Sequence, residues 1–296
     1  MSTRKPSALP TLIGFGAVML WSLLAVMTAA SGSVPPFQLL AMTFAVGSLA
    51  SMALWPFRPG AAKALRQPAV AWLVGVGGLF GYHFLYFTAL RNAPPVEAGL
   101  LNYLWPMLIV LFSALLPGES LRWHHLAGAA IALSGAVIVV AGGSDGLAIR
   151  AEYAFGYGSA LLAAIFWAAY SVLSRRLANV PTDAVTGFCL ATALLSCICH
   201  LALETTVWPA VAMEWLAVIG LGLGPVGLAF YAWDIGVKRG DIQVLGAASY
   251  AAPLLSTLLL VVFGYASLTP AILVAGLLIT LGALLAARDM LFTRRR

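Results

Sequence analysis

Tyr82, His83 and Tyr86 lie within a single turn of one another, inside an apolar stretch long enough to cross a bilayer. A histidine at such depth is costly unless hydrogen-bonded or wet, so it marks a candidate binding position. Its imidazole can donate and accept, and when protonated it would hold a carboxylate. A neutral histidine bonded to a neighbouring helix is the structural alternative. A second group has helical spacing. Gly99, Asn102, Tyr103 and Pro106 stand at i, i+3, i+4 and i+7, which puts them on one helix face. Gly246, Ser249, Tyr250 and Pro253 repeat the pattern. Each proline leaves a carbonyl without its usual donor, and hydrocarbon cannot supply another. Such faces belong against protein or a wet cavity; helix packing through small residues is the plainer reading. Trp21, Trp167 and Phe230 add flat apolar surface, with Tyr170 and Ser171 close by in sequence. Rings of this kind hold planar apolar ligands by offset or edge contacts. The chemistry offered is recognition, not bond-making. The sequence has no H-E-x-x-H, no metal-spaced Cys/His set, no G-x-S-x-G and no Walker loop. No catalytic residue, metal or cofactor is expected.

The elements that carry these residues follow from composition. Of 296 residues, 62% are hydrophobic and 9% charged, and mean hydropathy is +0.97. A soluble domain of this size carries about 25% charged residues. So few charges suit a chain whose outer surface meets lipid. Apolar stretches at 9–30, 36–55, 69–90, 96–116, 123–141, 154–174, 183–203, 212–233, 242–263 and 270–288 predict ten membrane helices and an all-α fold. The first is too long for a signal-peptide core, so it counts as a span. Cys189, Cys197 and Cys199 share one apolar segment without metal or redox spacing. His124, His125 and His200 fall near predicted ends and read as interface residues. Trp55, Trp72, Trp123, Trp208 and Trp215 do so too, as an aromatic belt.

Sixteen lysines and arginines orient the chain. Only Arg91 and Arg150 fall on the side opposite the N-terminus, whereas the ten acids divide evenly. A bias in basic but not acidic residues is the positive-inside pattern, so both termini should be cytoplasmic in a bacterial inner membrane. The basic residues form no phosphate-binding face, which excludes nucleic acid as a partner. No acid sits at the centre of a predicted span, so no shared proton and cation site is expected. Downhill flux and proton exchange both remain compatible with that.

The sequence repeats itself at an offset of 147 residues: Tyr103 meets Tyr250, Pro106 meets Pro253, Arg91 meets Lys238 and Gly135 meets Gly282. Trp21 meets Trp167 with a one-residue shift. The halves are 1–146 and 147–296, with five spans each. An odd span number turns the second half over in the membrane, so the repeats are inverted, an arrangement used by transporters. Ten helices, Trp21-Ser22, Pro106 and Pro253 resemble the EamA branch of the drug/metabolite transporter superfamily over essentially the whole chain. Within it, Tyr82-His83-Phe84-Leu85-Tyr86 and Asn102-Tyr103-Leu104-Trp105-Pro106 are similar to exporters of aromatic amino acids. The resemblance implies export of aromatic or other neutral amino acids by alternating access, with the small-molecule substrate between the halves. Export of drugs or other metabolites is the nearest alternative; a membrane-embedded enzyme or structural subunit is the other. A Gly-Glu pair after the fourth span is kept as Gly118-Glu119, but its counterpart reads Gly264-Tyr265-Ala266. The partners expected are substrate and membrane lipid, with a monomer as the default assembly.

Overall fold

The computed structural model describes residues 8–141, 150–263 and 267–289. The division at 146/147 and the Gly264-Tyr265-Ala266 segment lie outside them. Apolar sequence in lipid must satisfy its backbone internally, and helices do so. Among the described residues the structure is helical, without strands. The helices are α1 (Ala8–Ala30), α2 (Pro36–Ala53), α3 (Ala69–Asn92), α4 (Glu97–Ser113), α5 (Trp123–Ala141), α6 (Ala154–Arg176), α7 (Ala184–Leu203), α8 (Ala212–Arg239), α9 (Ile242–Val262) and α10 (Pro270–Ala286). Among the described residues, seven segments are long and apolar enough to cross a membrane, and Glu97–Ser113, Trp123–Ile138 and Pro270–Ala286 are shorter apolar stretches. Leu73, Leu162, Leu201 and Leu277 point outward from the bundle, as a lipid-facing surface requires.

Helix pairing follows the internal repeat. α1 packs on α8 and α3 on α6; α2 packs on α7, α4 on α9 and α5 on α10. Exchanging the halves maps this set onto itself. The α5–α10 contact also fixes the relative direction of the halves. A methyl group added to Gly128 would lie 2.5 Å from the Gly282 carbonyl oxygen, and one on Gly135 would lie 2.8 Å from that of Ala275. Seven residues forward along α5 are seven back along α10, so the helices run antiparallel. The 147-residue offset carries Gly128 to Ala275 and Gly135 to Gly282, which turns one contact into the other.

The straight helices expected from hydropathy are interrupted in pairs. α3 and α8 each contain a π-helical turn, at Gly77–Gly81 and Gly224–Leu228, and these turns are one repeat apart. An inserted π turn rotates the residues beyond it and is frequent at functional sites. α4 breaks at Tyr103-Leu104 and α9 at Ser249-Tyr250, just ahead of Pro106 and Pro253. α1 breaks at Ser22-Leu23, whereas its counterpart α6 is continuous.

Candidate binding cavity

Four tryptophans from four helices form the floor of the central space. Trp21 (α1), Trp105 (α4), Trp167 (α6) and Trp233 (α8) make all six possible pair contacts, with centroids between 5.1 and 6.3 Å apart. Phe230 joins at 6.1 Å from Trp21 and stacks on Phe44 at 5.4 Å. The Trp21 indole N–H donates to the Pro225 carbonyl at 3.0 Å, which ties the break in α1 to the π turn of α8. The Trp233 indole donates to Ser171 Oγ at 3.0 Å, and that hydroxyl donates to the Trp167 carbonyl at 2.9 Å. Polar backing of this kind fixes ring orientation where no water is at hand.

Above this floor lies a cavity of about 730 Å³. Of the residues singled out in the sequence, Trp21, Tyr82, His83, Tyr86, Asn102, Tyr103, Trp167 and Phe230 line it. The π turn of α3 immediately precedes Tyr82 and His83, so the two follow a change in helical phase. Tyr82 stacks parallel to Tyr86 at 6.0 Å and leans on Trp167 at 5.2 Å. His83 Nδ1 donates to the Leu79 carbonyl at 2.7 Å. A carbonyl only accepts, so Nδ1 carries a proton, and in the neutral ring Nε2 is the acceptor. Asn102 Nδ2 donates to the Tyr82 hydroxyl at 3.2 Å. Asn102 Oδ1 is buried and has no partner, although the residue lines the cavity. A buried acceptor without a partner is costly, which makes Asn102 a candidate contact.

The other six positions stand behind the wall. Pro106 is buried in α4, and Tyr250 and Pro253 are buried in α9. The Tyr250 hydroxyl accepts the Met107 N–H at 3.2 Å, a donor displaced from regular helical pairing by the break in α4. Ser249 Oγ donates to the Leu245 carbonyl at 2.7 Å. Tyr170 packs at 5.3 Å from Trp167, and Ser171 serves the two indoles as described. Trp105, part of the Asn102–Pro106 motif, and Trp233 are not among the positions expected to bind substrate. Each lies one repeat from a lining residue, Ala252 or Tyr86.

The face that holds the N-terminus is closed beneath the floor. Arg175 pairs with Glu119 and donates to the Val237 and Gly240 carbonyls at 3.0 and 2.7 Å, joining α6 to α8 and to the segment after α4. Buried Lys238 and Asp234 pair at 2.8 Å; Asp234 also accepts from Thr182 at 2.7 Å, and Lys238 donates to the Val180 carbonyl at 2.9 Å. Asp241 caps α9 through Gln243 N and Val244 N, and its own N–H donates to Thr11 at 2.8 Å. Burial pushes the Asp241 carboxyl up, against the pull of those two backbone donors. On the opposite face the cavity reaches Thr28, Val34, Pro36 and Arg91. This rim corrects one expectation: His200 is buried, bonded to Glu204 at 3.0 Å and Thr206 at 2.9 Å. His124 and His125 are likewise buried, stacked edge-on at 4.3 Å. Of the expected belt, Trp123, Trp208 and Trp215 are exposed, whereas Trp72 packs on Phe188 at 5.3 Å.

A helical bundle in inverted halves, closed at one face and hollow above an aromatic floor, defines a membrane transporter rather than an enzyme. The EamA-like transporter family model matches residues 9–141 and again 154–288. The chain belongs to the EamA-like transporter family. It is 56% identical to the aromatic amino acid exporter YddG of Ancylobacter novellus over 93% of this chain and 96% of that one. It is 28% identical to the protein of the same name in Salmonella typhimurium, over 97% and 98% of the two chains. A protein of known crystal structure is 53% identical and superposes with a TM-score of 0.91, covering 97% of this chain and 99% of the other.

Proposed function

We propose that this chain exports aromatic and related large neutral amino acids across a bacterial inner membrane by alternating access. The observation that carries the reading is the pairing of the tryptophan floor with the unpartnered Asn102 Oδ1 in one cavity. A planar side chain would lie on Trp21, Trp105 and Trp167. The substrate ammonium would be shared between Asn102 Oδ1 and His83 Nε2, both acceptors, with the Tyr86 and Tyr103 hydroxyls beside them. The two halves, 1–146 and 147–296, would provide one gate each. The basic bias supports a cytoplasmic N-terminal face and cytoplasmic termini, which would make the closed face the inner gate and turn the cavity outward. One chain contains a complete cavity, so a monomer in lipid suffices.

Names carried by the curated relatives support the cargo class, and the cavity chemistry supports it independently. The test is counterflow in liposomes with purified protein. Labelled tryptophan should enter vesicles preloaded with phenylalanine, and external aromatic amino acids should compete. Uptake indifferent to aromatic competitors would remove the proposal.

A further inference from the structure

The cavity's one fully charged lining residue is Arg91, in the last turn of α3 at the rim. Its side chain is 43% exposed, while its partner Glu204 is 3% exposed. Glu204 is fully engaged. It accepts Phe37 N and Gln38 N at 3.1 Å each, His200 Nδ1 at 3.0 Å and Arg91 Nη2 at 2.7 Å. Two of those donors are unpaired N–H groups of the first turn of α2, which favour a carboxylate there. The guanidinium also sits 5.5 Å over the Phe37 ring. Arg91 is thus clamped on one edge by Glu204 and on one face by Phe37. A guanidinium has five N–H donors, and the clamp uses one. The rest of a fixed, exposed fork remains at the cavity mouth, a geometry suited to planar carboxylates.

The floor lacks any such group. The rest of the lining offers the Asn102 amide, tyrosine, threonine and serine hydroxyls, and His83, whose Nδ1 donates inward to Leu79. None of these is a permanent cation of the kind that pairs with a carboxylate. We propose that Arg91 is a carboxylate subsite at the outer mouth, which engages the α-carboxylate of a zwitterionic substrate, with Glu204 as the positioning residue. The proposal rests on the amino-acid reading of the cavity. It adds a criterion for cargo: molecules with the same ring and ammonium but no carboxylate should be handled without Arg91.

The experiment measures equilibrium binding to wild type, Arg91→Gln and Arg91→Lys in acid/amine pairs: tryptophan and tryptamine, phenylalanine and phenethylamine, leucine and isopentylamine. Arg91→Gln should weaken each amino acid about tenfold, the scale of one charge-assisted contact at a partly exposed site. It should leave each amine unchanged, and Arg91→Lys should recover part of the loss. Thermal melts of both variants report on folding, since Glu204 keeps three other donors. Equal loss for acid and amine, or loss for neither, overturns the subsite. Binding of the leucine pair but neither aromatic pair would instead overturn the aromatic reading, with the Arg91 comparison still read on leucine.

Discussion

Replacing Asn102 by leucine separates binding from folding, because the two effects differ in size. In the empty cavity the amide makes one described bond, Nδ2 to the Tyr82 hydroxyl at 3.2 Å, while Oδ1 has no partner. Losing a neutral hydrogen bond costs about 0.5–1.5 kcal/mol, and removing an unsatisfied buried acceptor returns about 1–3 kcal/mol. Leucine also fills similar volume, so the net change in stability should lie between about 0.5 kcal/mol of loss and about 2.5 kcal/mol of gain. A bound ammonium loses more. A hydrogen bond to a charged group contributes about 1.5–3 kcal/mol, so affinity should fall roughly 10- to 150-fold. The assay pairs a thermal melt of the empty protein with a tryptophan titration of the same preparation. An unchanged or raised melt with a large affinity loss is the expected result. A melt lowered in step with affinity, or an unchanged affinity, would refute the assignment of Oδ1 to the substrate.

His83→Phe copies the residue found one repeat away at Phe230 and removes Nε2. Liposome flux should drop by more than tenfold, while a melt moves little. Gly282→Leu would drive a side chain into the Gly128 carbonyl, where even a methyl group comes to 2.5 Å, and should destabilise the protein by about 1–3 kcal/mol or more. Denaturant titration measures this, and Gly276→Leu serves as the control because its added methyl meets ordinary contacts of 3.5 Å and longer. Arg175→Met should loosen the closed face, since it removes both the Glu119 pair and two carbonyl contacts. A cysteine placed at Thr11 should then react faster with a membrane-impermeant thiol reagent added from that side, by comparison with the same cysteine in an Arg175 background.

Much of the scaffold was legible because it follows from counting. Hydropathy gave the segments, and the repeat offset anticipated paired features that the structure displays, including the reciprocal Gly128–Gly282 and Gly135–Ala275 contacts. The offset also maps one π turn onto the other, yet nothing in a hydropathy reading marks a π turn. Its trace was the clustering of Gly77, Gly78 and Gly81, and of Gly224, Pro225 and Gly227. Helical spacing groups Gly246, Ser249, Tyr250 and Pro253, but spacing cannot say which neighbour a face meets. That face packs towards α4 and α5, so Tyr250 ends on Met107 rather than in the cavity. Pseudo-symmetry gives no hint of Trp105, because its counterpart is the small Ala252, whereas it does pair Trp233 with Tyr86. Arg91 shows the same limit. The alignment paired it with Lys238, but Lys238 seals the closed face through Asp234 while Arg91 holds Glu204 at the open rim.

The central claim is that one cavity receives both the ring and the ammonium of an aromatic amino acid. A structure determined with phenylalanine or tryptophan bound tests it most directly. The ring should lie against Trp21, Trp105 and Trp167, with the amino nitrogen within hydrogen-bond distance of Asn102 Oδ1. A ligand seated away from these tryptophans, or with its carboxylate rather than its ammonium on Asn102, would contradict the account.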